Sequence, residues 1–222
     1  MRKTPYPPRR FSRLKMRFTQ VETMFPDLTC DDVFLIESRR LWLRWPRLAD
    51  VPAMTRYCSR AEVALMTAGI PHPYPKGSAE RFIYASREAN AEGRQLNLAL
   101  TFRGGKRDAI GTIGLAARAQ GRLSIGYVLA PEHWGLGLMT EAVAAIVETG
   151  FQLTQACEIT TNVFLQNATS RRVLEKNGFE STGRNRQGAP ARGGLVDCTG
   201  HRLPREIWAA RRVAVGMESK AS

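Results

Sequence analysis

The sequence predicts a single mixed domain of class α/β (α+β), and three observations support this prediction. The chain has 222 residues, of which 43% are hydrophobic and 24% charged, so it is long enough to bury a sizeable core. Short segments with strand character are interspersed with longer segments that begin with helix-start signals. The chain contains no internal repeat. One globular core with appended segments is therefore the simplest interpretation.

Two strands open the predicted domain. The segments DDVFLIE (31–37) and RRLWLRW (39–45) are short, apolar and bounded by charged residues. The second segment also alternates along its length, with one face carrying Leu41, Leu43 and Trp45 and the other Arg40, Trp42 and Arg44.

Two helices follow these strands. Residues 47–69 are predicted to be helical, with Asp50 as the N-cap and Pro52 in the first turn. Residues 70–77 (IPHPYPKG) form a loop, because prolines at that density cannot continue a helix. A second helix is predicted over residues 78–93, which opens on Ser78.

The second half of the chain begins with three predicted strands, at residues 95–102, 109–118 and 122–130. A glycine-containing loop, a helix beginning near Thr140, a strand over 158–165 and a short helix over 168–178 come next. The remainder, as far as REIWAAR (205–211), is basic and glycine-rich, and no regular element is assigned to it before that point. Seven aromatic residues fall at positions typical of core packing: Trp42, Trp45, Phe82, Phe151, Phe164, Phe179 and Trp208.

Positive charge is concentrated at the start of the chain. The formal net charge is +13. Residues 1–20 hold seven lysines and arginines and no acid, in a segment that also contains proline. We therefore expect a basic, flexible arm over residues 1–30, a folded domain over 31–216 and a short tail over 217–222. Contact of this arm with RNA, the ribosome or another polyanion is an open alternative to simple solvation.

Composition also indicates a compartment. No apolar run approaches the roughly 20 residues of a membrane span, and the first residues lack the apolar core of a signal peptide. Four scattered cysteines, Cys30, Cys58, Cys157 and Cys198, form no CxxC pair, so neither a zinc site nor a disulfide framework is indicated. A cytoplasmic protein without a bound metal is expected.

The segment WGLGLMTE (134–141) is the strongest local indication of a binding site in the sequence. A strand, two glycines and a helix in succession create a helix N-terminus with accessible amides, which is a ready-made anion site. A simple turn made by Gly135 and Gly137 is an equally good explanation of the loop alone. A triphosphatase loop would need a lysine here, and a dinucleotide fold would need a third glycine where Thr140 stands. Glu158 could imitate the ribose-binding acid, so the dinucleotide alternative is only disfavoured.

The wider pattern resembles a known family. WGLGLMTEAV, followed by NVFLQNATSRRVLEKNGF, is similar to the GNAT superfamily of acyl-CoA N-acyltransferases, and in particular to the ribosomal-protein N-terminal acetyltransferases. The resemblance spans roughly residues 37–183. It implies a mostly antiparallel central sheet with helices on both faces. It also implies a splayed wedge between the family's strands 4 and 5, here the strands containing SIGYVLA and TTNVFL.

The resemblance also implies a site. Acetyl-CoA would be the co-substrate, with its pyrophosphate on the loop amides and its pantetheine arm in the wedge. The backbone amide of Leu129 would stabilise the oxyanion, and Ser170 would donate to the departing sulfur. The residues implied in cofactor binding are Tyr127, Val128, Leu129, Trp134, Gly135, Leu136, Gly137, Leu138, Met139, Thr140, Asn167 and Ser170. Helix capping is the alternative role of Asn167 and Ser170, and of Thr140.

A general base is not assigned by the sequence. Some members of this branch use a glutamate beyond the helix serine, but the corresponding segment, RNRQGAPARGG, contains no acid. The weak candidates are His201, Asp197 and Glu132. His133 is interpreted as incidental, and His72 lies in the loop that borders the acceptor site in the family or is part of a rigid surface turn. The predicted function is transfer of an acetyl group to an amine by direct attack, the amine being a protein N-terminus, a lysine or a small molecule. The competing hypothesis is a catalytically weak CoA-binding or regulatory module tethered to a polyanion by its arm.

Overall fold

A computed structural model of the protein describes residues 24–25, 34–105 and 107–218. The described residues form one eight-stranded sheet with the strand order β1-β2-β3-β4-β5-β6-β8-β7. Only the β5–β6 pair is parallel among the pairs of this sheet. The strands are β1 (Leu35–Glu37), β2 (Leu41–Arg44), β3 (Gln95–Phe102), β4 (Gly111–Arg118), β5 (Arg122–Leu129), β6 (Glu158–Phe164), β7 (Glu180–Ala189) and β8 (Gly194–Pro204).

Six α-helices accompany the sheet in the described part of the chain. They are α1 (Val51–Cys58), α2 (Ala61–Ala64), α3 (Ser78–Ala91), α4 (Leu138–Leu153), α5 (Ala168–Lys176) and α6 (Arg205–Glu218). Three single 3₁₀ turns lie at Leu48–Asp50, Pro131–His133 and Pro190–Arg192. The predicted class, a mixed and mostly antiparallel α/β fold, is confirmed.

The sheet opens between β5 and β6. These two strands pair only from Arg122 to Ser124 on β5 and from Glu158 to Thr160 on β6. Beyond those residues β5 stays paired with β4 as far as Leu129, while β6 stays paired with β8 as far as Phe164. The predicted wedge is therefore present, and it widens toward the carboxyl ends of both strands.

Helices cover both faces of the sheet. Leu129 packs in the main core with α4, whereas its neighbours Val128 and Ala130 pack with residues of α1 and α3. Because successive residues of a strand point to opposite faces, α4 lies on one face and α1 and α3 lie on the other. Helices therefore lie on both faces of the sheet at the end of β5, beside the wedge.

One residue of the predicted arm belongs to the core. Phe25 is buried in the main hydrophobic cluster, and its amide donates to the carbonyl oxygen of Gly93 at 3.3 Å. Apart from Phe25 and Met24, the residues assigned to the arm and to the tail over 217–222 are outside the described range or at its end.

The helix predicted over residues 47–69 is wrong in two respects. It is interrupted after Cys58, because Arg60 adopts an extended backbone between α1 and α2. Asp50 stands at the predicted N-cap position of α1, but its side chain makes no capping hydrogen bond to this helix. Its carboxylate is instead buried, receives two hydrogen bonds from the Arg44 guanidinium at 2.7 and 2.8 Å, and accepts the Arg47 amide at 2.8 Å. This ion pair also explains why Arg44, assigned to a polar strand face, is buried.

The β7–β8 hairpin is the largest element that the sequence did not predict. All but two residues of β7 are exposed, so its composition carries no apolar alternation. Its order comes from pairing along nearly its full length with β8. One aromatic prediction is also wrong, since Phe82 on α3 is 38% exposed, whereas Phe151, Phe164 and Phe179 are buried as predicted.

Candidate functional site

The wall of the wedge is formed by the backbone of β5. The Ala130 amide donates to the Ile110 carbonyl oxygen across the β4–β5 ladder at 2.8 Å. Backbone groups alternate sides along an antiparallel ladder, so the polar groups of Val128 also face β4, while those of Tyr127 and Leu129 face the wedge. The Thr160 hydroxyl reaches the Leu123 carbonyl oxygen from the β6 side, which agrees with this alternation. The Leu129 amide is therefore directed into the cleft.

The loop after β5 presents further amides. Both Gly135 and Gly137 have positive φ, 75° and 72°, a conformation that side chains other than glycine rarely adopt. Gly137 is the N-cap of α4, and the first bond of the helix runs from the Glu141 amide to the Gly137 carbonyl oxygen at 3.2 Å. The first helical residue is Leu138, two residues before the predicted start near Thr140.

The exposed backbone of this loop suits an anion. The amides of the first helical residues, Leu138, Met139 and Thr140, have no intrahelical acceptor, and the helix dipole adds positive character there. Gly135, Leu136 and Gly137 are exposed, whereas Leu138 and Met139 are buried in the core and anchor the first turn of the helix. The Trp134 amide, in contrast, is bonded to the Pro131 carbonyl oxygen at 3.1 Å. The residues from Gly135 to Thr140 therefore fit a phosphate group.

Trp134 connects the loop to the wedge. Its indole Nε1 donates to the Leu129 carbonyl oxygen at 2.8 Å, and its side chain is 42% exposed. This bond satisfies a carbonyl group that faces the wedge. It also places the loop directly beside the end of β5, so a molecule lying in the wedge would continue onto the loop.

A set of hydrogen bonds to the Glu141 carboxylate, here called the clamp, lies behind the loop and was not predicted from the sequence. The Glu141 carboxylate accepts the Arg40 backbone amide at 2.6 Å, the Arg40 Nε at 2.7 Å and the Ser38 hydroxyl at 2.8 Å. Arg40 also donates to the Leu136 carbonyl oxygen at 3.0 Å. Burial works against the charge, but the bonds from Arg40 and Ser38 outweigh it and lower the pKa of Glu141. The connection between β1 and β2 thereby fixes the loop and the first turn of α4.

The second wall of the site comes from the start of α5. Asn167 is the N-cap, and its Oδ1 accepts the Ser170 amide at 3.0 Å. Its Nδ2 donates to the Met66 carbonyl oxygen at 3.3 Å. The Ser170 hydroxyl does not cap the helix, because it lies 2.8 Å from the hydroxyl of Tyr127 on β5. The capping role weighed for both residues applies to Asn167 alone.

The candidate bases are dispersed. His201 is buried in β8, where Nδ1 lies 3.1 Å from the Thr199 carbonyl oxygen, and burial lowers its pKa. Asp197 is exposed on the hairpin near Arg186, and Glu132 lies near Arg60. His133 packs edge-on against Phe102, and His72 is exposed beside a cis proline. None of these described contacts reaches Leu129 or Ser170.

Neither a metal-binding cluster nor a helix able to span a membrane is found among the described residues. No group of three or more His, Cys, Asp or Glu side chains lies close enough together there to hold a metal ion. No helix of this part of the chain is both long and apolar enough to cross a membrane.

The strand order and the open wedge define a fold of the GNAT type. The chain belongs to the acetyltransferase (GNAT) domain family, which it matches over residues 40–180. Two curated relatives are named as uncharacterized N-acetyltransferases. YoaA of Bacillus subtilis is 41% identical over 83 residues, 36% of this chain and 47% of YoaA. The protein p20 of Bacillus licheniformis is 28% identical over 162 residues, 72% of this chain and 90% of p20. The alignment thus spans about half the length of YoaA.

A solved structure extends the comparison over most of the fold. RimL, a ribosomal L7/L12 alpha-N-protein acetyltransferase in complex with coenzyme A, superposes with a TM-score of 0.68. The match covers 78% of this chain and 99% of RimL at 16% sequence identity, so it shows a shared fold alone. The family predicted from the glycine loop and the NATS segment is confirmed.

The clamp behind the loop yields a prediction about stability. Replacing Glu141 by Gln removes the charge from three hydrogen bonds and is expected to cost about 2 kcal/mol of unfolding free energy at neutral pH. Since the folded pKa of Glu141 is lowered, this stabilisation is complete above its unfolded pKa of about 4.3 and is lost as the pH falls through the folded value. Urea unfolding of both proteins should therefore show a gap that narrows below about pH 4.

The matched control is Glu88→Gln, which neutralises an exposed carboxylate on α3. Its unfolding midpoint should stay close to that of the wild type at every pH. A Glu141→Gln protein with the same midpoint as the control would show that the clamp does not stabilise the loop.

Proposed function

We propose that this protein is an N-acetyltransferase that moves the acetyl group of its co-substrate acetyl-CoA to an amine by direct attack. The observation that carries the proposal is the continuity of the wedge with the glycine loop. The Leu129 amide faces the cleft, and Trp134 joins that residue to a loop whose amides fit a phosphate. Membership of the GNAT family supports the same conclusion.

The residues divide the work between binding and chemistry. The amides from Gly135 to Thr140 would hold the pyrophosphate, and the wedge-facing backbone of Tyr127 would pair with the pantetheine arm as an added strand does. Val128, whose backbone polar groups face β4, would contribute to the wall without such a bond. Asn167 would reach the pantetheine only with the capacity left by its two existing hydrogen bonds.

The chemistry follows from the polarity of a thioester. The amine nitrogen would attack the carbonyl carbon, and the Leu129 amide would stabilise the negative charge that develops on the carbonyl oxygen. The carbon–sulfur bond then breaks, and the Ser170 hydroxyl would donate a hydrogen bond to the sulfur. The acceptor must arrive without its proton, since amine pKa values are about 10.4 for lysine and about 8 for an α-amino group. No base is assigned to a residue.

The acceptor is proposed only as a class, an amine on a protein N-terminus, a lysine or a small molecule. RimL is named as an enzyme of protein N-termini, which favours that choice among the three. We would test the function by release of free CoA with a panel of amines, followed by mass spectrometry of the acetylated product. Absence of CoA release with every class of amine would favour the binding-module hypothesis, which the acetyltransferase family assignment otherwise disfavours.

The glycine loop generates a prediction about affinity. Gly137→Asp introduces strain at a positive φ and places a carboxylate where the phosphate would lie. The affinity for acetyl-CoA, measured by calorimetry, should fall at least tenfold, or about 1.4 kcal/mol. Gly104→Asp is the matched control, because Gly104 has a similar φ of 73° in a turn after β3. Unchanged affinity in a folded Gly137→Asp protein would contradict the loop assignment.

Ser170 generates a prediction about turnover. Ser170→Ala should lower kcat at least about tenfold while the dissociation constant of acetyl-CoA stays the same, as expected when a group acts mainly in the transition state. No loss of a helix cap is expected, since Asn167 supplies the cap. The control is Thr169→Ala, which removes an exposed hydroxyl at the preceding position. Full activity of Ser170→Ala would exclude the assigned role.

We also propose that residues 1–20 bind a polyanion such as RNA, because their seven cations lie outside the family match. Deleting them leaves Phe25 in place and should preserve turnover of a small amine. Salt-sensitive retention of the protein on RNA or heparin should disappear. Retention equal to that of the full chain would assign the binding to the folded domain instead.

A further inference from the structure

The hydroxyl groups of Tyr127 and Ser170 meet at the mouth of the wedge. The two oxygens are 2.8 Å apart, and the Tyr127 hydroxyl also lies 3.3 Å from the Ser170 carbonyl oxygen. Tyr127 is on β5 beyond Ser124, where the pairing with β6 ends. Ser170 is in the first turn of α5. The bond therefore joins β5, on one side of the cleft, to α5, which follows β6 on the other side.

The direction of this hydrogen bond decides what Ser170 can do. Each hydroxyl has a single hydrogen, so one is used between the two oxygens and the other stays available. A phenol is the more acidic group and hence the better donor, and the Ser170 hydroxyl oxygen lies nearer to it than the Ser170 carbonyl oxygen, at 2.8 against 3.3 Å, so we assign the donor role to Tyr127 and the acceptor role to Ser170. The helix makes no demand on the Ser170 hydroxyl, because Asn167 supplies the cap. The Ser170 hydrogen is thus free to point into the wedge.

The environment of Tyr127 keeps it in the donor form. Burial raises the pKa of its phenol to about 12, although the hydrogen bond with Ser170 acts in the opposite direction. The group therefore keeps its proton throughout the neutral range. Its ring packs against the main core, which holds the hydroxyl in place on Ser170.

We propose that Tyr127 is a positioning residue whose hydroxyl donates to Ser170 and thereby directs the Ser170 hydrogen onto the sulfur that leaves. This inference rests on the proposed acetyl transfer. A hydroxyl that accepts one hydrogen bond becomes a stronger donor in another. Tyr127 is thus assigned a role through its side chain that is separate from the role of its backbone in holding the co-substrate.

The step balances without a proton leaving either hydroxyl. The amine lone pair forms the carbon–nitrogen bond, the carbon–sulfur bond breaks, and its electron pair remains on sulfur. The proton lost by the amine nitrogen goes to solvent. A thiol has a pKa of about 8.5, well below that of either hydroxyl, so neither hydroxyl gives up its proton. The sulfur leaves as a thiolate that hydrogen bonding stabilises, and it takes up a proton from solvent afterwards.

Tyr127→Phe tests the inference, because it keeps the ring and removes only the hydroxyl. We expect kcat to fall about tenfold, less than the roughly 10²–10³ caused by removing a direct donor, with unchanged affinity for acetyl-CoA. The control is Tyr84→Phe on α3, where the side chain is 60% exposed. The double variant Tyr127→Phe/Ser170→Ala should be no slower than Ser170→Ala alone, since Tyr127 acts through Ser170.

A second measurement does not depend on turnover. Ultraviolet absorbance of the thiolate gives the pKa of the CoA thiol when CoA is bound. The wild type should lower this pKa relative to free CoA, Ser170→Ala should abolish the shift, and Tyr127→Phe should reduce it. Tyr84→Phe should leave it intact. A residue that only packs would not change this titration.

The outcomes separate the two proposals. A wild-type protein that releases no CoA with any amine contradicts the proposed function. An active wild type with an impaired Ser170→Ala and an unimpaired Tyr127→Phe overturns this inference alone. Additive losses in the double variant would also overturn it, because they would show that Tyr127 acts independently of Ser170. Melting temperatures of all variants establish that each is folded.

Discussion

The separation of β5 from β6 after Ser124 is the constraint on which the site depends. Beyond Ser124, the backbone N–H and C=O groups of β5 that face β6 have no partner on that strand. Inside a folded protein such groups need another hydrogen-bond partner. The Trp134 indole satisfies the carbonyl oxygen of Leu129, while the amide of the same residue stays directed at the cleft. One wall of the wedge is therefore a polar backbone edge set between two apolar layers.

Distant parts of the sheet maintain this arrangement. Arg40, in the connection before β2, holds both the Leu136 carbonyl oxygen and the Glu141 carboxylate, so the glycine loop is secured from behind. The buried side chains of Leu138 and Met139 secure it from within. These contacts involve a carbonyl oxygen and side chains, and none of them occupies the backbone amides from Gly135 to Thr140. Those amides therefore remain available as donors to an anion.

The sequence predicted those elements that depend on neighbouring residues, such as a strand with an apolar pattern or a turn at a glycine. The strand of residues 95–102 was predicted with its observed bounds, and Gly137 was identified as part of the turn before α4. The Arg44–Asp50 pair and the Arg40–Glu141 clamp depend on residues that tertiary folding brings together, so no spacing in the sequence indicates them. The polar strand β7 had no apolar pattern to detect. The bond between Tyr127 and Ser170 likewise joins residues 43 positions apart.

The two walls of the wedge are held by strands outside it. β6 is paired with β8 from Glu158 to Phe164, and β5 is paired with β4 over its whole length. Each strand is therefore held by a full ladder on the side away from the cleft, and this pairing favours a cleft that is formed before any ligand arrives. A pre-formed cleft of this kind loses little conformational entropy on binding, and more of the contact energy appears as affinity. A cleft held in this way would favour a narrow, extended molecule over a bulky one.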